Sequence, residues 1–195
     1  MQPIEMIVIG ASAGGVEALT TVLTGLPKTF EVPIVVAQHL DESSEMFFID
    51  QLNKKLTMPV KCPNDKDQIN KNSVYIAPAD YHLLIEENRT LSLSADPRVK
   101  FSRPSIDVLF ESAAEVYEEK LIGVILTGAN SDGSMGLKKI KDHGGLTIVQ
   151  EPGSAKMNKM PQSAIEKSSV DYVLALQKIS KTLEKLVNGT EANEA

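Results

Sequence analysis

The sequence predicts an α/β fold: a doubly wound, mostly parallel sheet with helices on both faces, a small β-hairpin, and a single domain. Three observations carry that expectation. Short apolar runs at 6–9, 33–38 and 121–126 end in small or polar residues, as strands buried on both faces do. Helical patterns alternate with those runs at the spacing of parallel crossover units. The chain of 195 residues is long enough for one domain with a substantial core, and no repeat or low-complexity linker divides it.

The first strand, Met6-Ile7-Val8-Ile9, runs straight into Gly10-Ala11-Ser12-Ala13-Gly14-Gly15. Val16, Leu19, Val22 and Leu23 then recur at helical spacing, and Gly25-Leu26-Pro27 ends that helix. Residues 33–38 form the second strand, with His39 at its end. A helix over 45–55 follows, then turns around Pro59 and Pro63. Val74-Tyr75-Ile76-Ala77 reads as a short strand closed by Pro78. Residues 82–86 and 90–93 flank Glu87-Asn88-Arg89 as a β-hairpin. Residues 94–103 are polar and irregular, a surface loop.

Pro104, Ser105 and Asp107 start a helix that turns Val108, Leu109 and Ala113 inward. The third apolar strand, 121–126, ends in the small-residue loop Thr127-Gly128-Ala129-Asn130-Ser131-Asp132-Gly133. A helix runs from Met135 until His143-Gly144-Gly145 stops it. Residues 146–150 are another buried strand, and a loop over 151–159 precedes a short helix around 161–166. Tyr172-Val173-Leu174 reads as a last strand, and 179–187 as a last helix. The domain is expected over 1–187, with 188–195 a polar, disordered tail.

Bulk properties remove several function classes. A net charge of −6 with no basic run argues against nucleic-acid binding. No apolar run is long enough to span a bilayer, and Met1-Gln2-Pro3-Ile4-Glu5 lacks the basic flank and apolar core of a signal peptide. A cytoplasmic protein without membrane insertion is expected. Cys62 is the only cysteine, which leaves no internal disulfide and no cysteine-rich metal site.

Ligands of open parallel sheets bind beyond the carboxyl ends of the strands. Ser12 follows the first strand, His39 ends the second, and Asp132 lies in the loop after 121–126. These are the residue types of a nucleophile, a general base and an orienting carboxylate. Gly10-Ala11-Ser12-Ala13-Gly14 also fits G-x-S-x-G, in which small residues expose a serine on a tight turn. Alone, that pattern competes with a Ser12 that merely caps the next helix. The chain order is Ser, His, Asp, whereas α/β-hydrolases run Ser, Asp, His.

Other candidates have local reasons. His143 closes a helix, where the dipole favours an imidazole, and His82 is expected in a surface or packing role. Asp41 is too near His39 in sequence to orient its ring easily. Asp80 and Asp107 belong to a turn and a helix start, and Asp132 itself sits in a loop of ordinary turn residues. Oxyanion donors are expected from the backbone N–H of Ala13 and from the Gly128-Ala129-Asn130 loop. A rival reading takes Gly10-x-Ser12-x-x-Gly15 as a dinucleotide loop. It lacks the middle glycine, and its second strand ends in Gln38-His39 instead of an acid.

Ile9-Gly10-Ala11-Ser12-Ala13-Gly14-Gly15, Gln38-His39, Ile76-Ala77-Pro78-Ala79-Asp80-Tyr81-His82-Leu83-Leu84 and Arg103-Pro104-Ser105-Ile106-Asp107-Val108-Leu109-Phe110 resemble the chemotaxis protein-glutamate methylesterase (CheB) family. Leu126-Thr127-Gly128 with Asp132-Gly133, and Met160-Pro161 ahead of Ala164-Ile165, continue the match over nearly the whole chain. The resemblance implies a Ser12, His39, Asp132 triad that hydrolyses glutamate γ-methyl esters on methyl-accepting receptors, releases methanol and often deamidates receptor glutamines. It implies no metal and no cofactor.

The chain departs from the family at two points. Methionine is usual where Ala129 stands; a backbone donor survives that change, but the pocket wall differs. Known members also carry an N-terminal phospho-receiver domain, and this chain begins at the catalytic domain. The expectation is therefore constitutive activity, control in trans by a receiver protein or a methyltransferase partner, or a substrate other than a chemoreceptor. A low-activity binding or scaffold module of the same fold is the alternative from a different class.

Overall fold

The first strand, β1 (Met6–Ala11), is buried along its whole length because its alternate side chains enter two separate cores. The computed structural model describes residues 2–189. In chain order β1 is followed by α1 (Gly15–Thr24), β2 (Ile34–Gln38), α2 (Glu42–Lys55), β3 (Val60–Lys61) and β4 (Val74–Ile76). The hairpin strands β5 (His82–Ile85) and β6 (Leu91–Ser94) lead into α3 (Ile106–Tyr117) and β7 (Leu121–Ile125). Then come α4 (Ser134–Asp142), β8 (Leu146–Gln150), α5 (Lys159–Lys167), β9 (Tyr172–Leu174) and α6 (Leu176–Val187).

Seven strands form one sheet in the order β3-β4-β2-β1-β7-β8-β9, and every pairing in it is parallel. β5 and β6 pair antiparallel as a separate hairpin. Ile7 and Ile9 face the core made with Leu19 and Val22 of α1, Leu52 of α2 and Leu183 of α6. Met6 and Val8 face the opposite core, with Leu109 and Phe110 of α3, Leu137 of α4, Ala164 of α5 and Leu83 of the hairpin. Both sheet faces are thus covered over the five inner strands, which is why those read as apolar runs without alternation, while Val173 of the edge strand β9 is exposed.

The chain leaves β1 for α1 on one face and β7 for α4 on the other. β1 and β7 are neighbours, so their following loops diverge and open a crevice at the carboxyl edge, the usual ligand position of such sheets. Ser12 and Asp132 lie in those two loops.

Several local expectations are corrected. β3, only two residues long, carries too little pattern to be read. α2 starts at Glu42 because Asp41 caps it, accepting from Ser44 N at 2.9 Å. Bonds from the Ser43 hydroxyl, the Ser44 backbone and the Ser44 hydroxyl hold the Asp41 carboxyl down to about 2. In α3 the apolar side chains turned inward are Ile106, Leu109, Phe110, Ala113, Ala114 and Tyr117, while Val108 is half-buried. Of the expected tail, Asn188 and Gly189 form a turn, and 190–195 lie outside the described residues.

Candidate active site

The ring of His39 bridges the loops. Its Nδ1 lies 3.0 Å from Ser12 Oγ, and its Nε2 lies 3.1 Å from Asp132 Oδ2. An ionised carboxylate can only accept, so Nε2 carries the hydrogen and Nδ1 is left to accept from the serine hydroxyl. The ring is turned over relative to the familiar serine-protease arrangement, in which Nε2 faces the serine. Ser12 and His39 are half-buried and Asp132 is fully buried.

Ser12 does not cap α1. Gly14 occupies the N-cap in left-handed backbone, with no side-chain cap bond among the described residues. The serine's own N–H donates to Thr127 O at 3.0 Å, and Thr127 Oγ1 donates to Ala13 O at 2.9 Å. The loops after β1 and β7 are therefore stitched together beside the serine. Ala13 and Ala129, one in each loop, are exposed, and no hydrogen bond within the described residues uses either N–H.

Asp132 is set into the N-terminus of α3. Its Oδ1 accepts from Ser105 Oγ (2.9 Å), Asp107 N (3.1 Å) and Gly133 N (3.0 Å), and its Oδ2 from Ile106 N (2.8 Å). Burial alone would raise this carboxyl. The His39 bond and the backbone N–H groups of Ile106 and Asp107 outweigh burial and hold it below the ordinary carboxylate range. The carboxylate is thereby kept ionised and its free edge is aimed at the imidazole.

That cradle depends on three features that the sequence reading did not connect. Gly10 lets α3 approach β1, since a Cβ there would lie 2.3 Å from Ile106 Cγ2. His82 is buried and away from the surface: Ser105 N donates to its Nδ1 at 3.1 Å, and its Nε2 donates to Pro97 O at 3.2 Å. Asp107 is not a local helix-start residue alone, because its Oδ1 accepts from Met135 N and Gly136 N of α4 at 3.0 and 2.7 Å. The signal for the cradle was Ser105-x-Asp107 after Pro104, an N-cap whose free N–H groups need an acceptor.

The remaining candidates stay apart from the set. Asp41 caps α2, Asp80 pairs with Arg98 at 2.6 Å, and His143 donates from Nδ1 to Lys139 O at 2.9 Å. Among the described residues no group of three or more His, Cys, Asp or Glu could hold a metal ion, and no helix is long and apolar enough to cross a membrane. A cleft of about 890 Å³ opens at the opposite, amino edge of the sheet near Glu5, Arg89 and Tyr117, far from the serine.

A doubly wound α/β domain with a serine, a histidine and a buried aspartate in hydrogen-bonded series at the sheet's carboxyl edge has the architecture of a serine-type hydrolase. The sequence profile described as CheB methylesterase matches residues 7–183. A relative from Leptospira interrogans is 55% identical over 182 residues, covering 93% of this chain and 94% of its own. The Clostridium acetobutylicum protein-glutamate methylesterase/protein-glutamine glutaminase is 37% identical over 95% of this chain, which spans 54% of that longer protein. The crystal structure of the Thermotoga maritima CheB methylesterase catalytic domain superposes with a TM-score of 0.90 at 35% identity, covering 95% of this chain and all of that one. The chain belongs to the CheB methylesterase family.

Proposed function

We propose that this chain is a serine hydrolase that removes glutamate γ-methyl esters from methyl-accepting chemotaxis receptors and releases methanol. The carrying observation is the unbroken series Ser12 Oγ, His39 Nδ1, His39 Nε2, Asp132 Oδ2, with contacts of 3.0 and 3.1 Å. Relatives named protein-glutamate methylesterase/protein-glutamine glutaminase support the substrate class.

Ser12 Oγ attacks the ester carbonyl while its proton passes to His39 Nδ1. Asp132 keeps the other ring hydrogen on Nε2 and stabilises the imidazolium that forms. Negative charge on the tetrahedral oxygen meets the N–H groups of Ala13 and Ala129, which have no competing acceptor within the described residues. The imidazolium returns its proton to the departing methoxide, leaving an acyl-serine. Water, activated by the same nitrogen, then yields glutamate and regenerates Ser12. A receptor glutamine follows the same course with ammonia leaving.

On this reading the protein works in the cytoplasm, in chemotaxis or a related adaptation pathway, on a methylated receptor. A receiver protein or a methyltransferase acting in trans fits the same reading as partner. Incubation with a panel of methylated receptor fragments, followed by mass spectrometry of the glutamyl sites, tests it. Loss of methyl groups from one or more fragments is expected. Full retention on every receptor would refute the substrate assignment.

A further inference from the structure

Gln38, the last residue of β2, is 2% exposed and lies against the serine turn. Its Nε2 donates to Ser12 O at 3.0 Å and to His39 O at 3.2 Å. Both partners can only accept, so the amide nitrogen and not the oxygen must face them. Its Oε1 is buried without a donor among the described residues, and a Cβ on Gly15 would lie 1.9 Å from it. Glycine at 15 is what makes room for this carboxamide. An apolar side chain of the same volume would pack there with no orphaned oxygen, so packing does not explain a glutamine.

The carbonyl that Gln38 grips belongs to the peptide unit whose N–H is that of Ala13. In a planar trans peptide the C=O and N–H point in opposite directions. Ser12 O is held on one side by Gln38 Nε2 and by Gly15 N at 2.7 Å. Ala13 N–H must therefore face the other way, where no acceptor among the described residues takes it. Donors on a carbonyl also polarise its peptide and strengthen the N–H as a donor. The second hydrogen of the same amide, on His39 O, ties the histidine loop to the serine loop.

We propose that Gln38 is a positioning residue: it aims and polarises the Ala13 N–H toward the oxyanion and fixes the serine and histidine loops relative to each other. The inference rests on Ser12 being the nucleophile. It assigns to one side chain what the oxyanion argument alone leaves to the backbone.

The test uses the purified full chain as wild type, Gln38→Met and Ser12→Ala. The substrate is a synthetic peptide carrying one glutamate γ-methyl ester. Three readouts are taken: methanol release, inhibition by phenylboronic acid (which forms a tetrahedral adduct on a nucleophilic serine) and the thermal midpoint. Gln38→Met is expected to lower kcat about 10- to 100-fold, less than the roughly 10²- to 10³-fold cost of removing an oxyanion donor outright, because the Ala13 N–H is misaimed and not lost. KM should stay within about twofold, boronate inhibition should weaken with kcat, and the midpoint should not fall. Ser12-dependent release with kcat in Gln38→Met within about twofold of wild type overturns the role of Gln38 and leaves the nucleophile standing. Equal release by wild type and Ser12→Ala overturns both. Failure of Gln38→Met to fold, or a kcat loss with unchanged boronate inhibition, would make the glutamine a packing requirement and also overturns the proposal.

Discussion

Asp132 and Asp107 hold each other's helices. Asp132, just ahead of α4, accepts from the first N–H groups of α3, and Asp107, in the first turn of α3, accepts from the first N–H groups of α4. Each carboxylate lies where a helix dipole and free backbone donors favour negative charge. The exchange locks α3 to α4 and fixes the plane of the carboxylate that meets His39.

The orienting role of Asp132 is tested by Asp132→Asn. An amide nitrogen facing Nε2 would favour the tautomer with hydrogen on Nδ1, which cannot accept from Ser12. A fall in kcat on the order of 10⁴-fold is expected, with KM little changed. Steady-state kinetics on a glutamate methyl ester peptide checks it, and a loss below tenfold would remove Asp132 from the set.

Asp107 is expected to matter first for stability. Asp107→Ala strips two N–H groups of α4 of their acceptor and leaves Lys100, 2.6 Å away, with only Ser131 O as partner. A loss of about 2–3 kcal/mol in urea unfolding follows. Lys100→Met removes the counter-ion of the buried Asp107 carboxylate and a bond to Ser131 O but leaves both α4 N–H groups with their acceptor, so it should cost less than Asp107→Ala. Similar losses for the two variants would contradict this ordering.

Gly10→Ala places a methyl group against Ile106, the residue that offers its N–H to Asp132. Overpacking here is expected to cost about 1–3 kcal/mol. Activity should fall further than stability accounts for, because α3 is pushed off the carboxylate. Unchanged kcat in the folded variant would show that the cradle tolerates the shift.

Acid should weaken the fold through Asp132. Its carboxyl is held below the ordinary range in the folded chain, so the unfolded chain binds that proton more readily. The stabilisation is complete above the usual aspartate value of ~3.9 and is lost as pH falls through the folded value. Asp41, held down to about 2, acts in the same direction. Urea midpoints from pH 6 to pH 3 should fall, and Asp132→Asn should flatten part of that slope.

What the sequence made legible follows from where each signal resides. Strands covered on both faces show as apolar runs, so the five inner strands could be read, the edge strand β9 was read from Tyr172-Val173-Leu174 alone, and the serine, histidine and aspartate stood out as polar residues after strands. β3 is too short to carry a pattern, and the polar start Glu42-Ser43-Ser44 hid the first turn of α2. The supports of the site were harder to see because they act across the chain. Ser105 and Asp107 looked like ordinary helix-start residues until the fold brought Asp132 and α4 to them. His82 and Gln38 likewise matter through backbone groups 23 and 26 residues away. No local spacing encodes such contacts.

The central claim is that Ser12 is the nucleophile of a methyl-ester hydrolase. Methanol release from methylated receptor fragments, measured side by side for the wild type and Ser12→Ala, tests it most directly. A loss on the order of 10³-fold or more in Ser12→Ala is expected, with the oxyanion donors and binding leaving a small residue of activity. Equal release from both proteins would contradict the account.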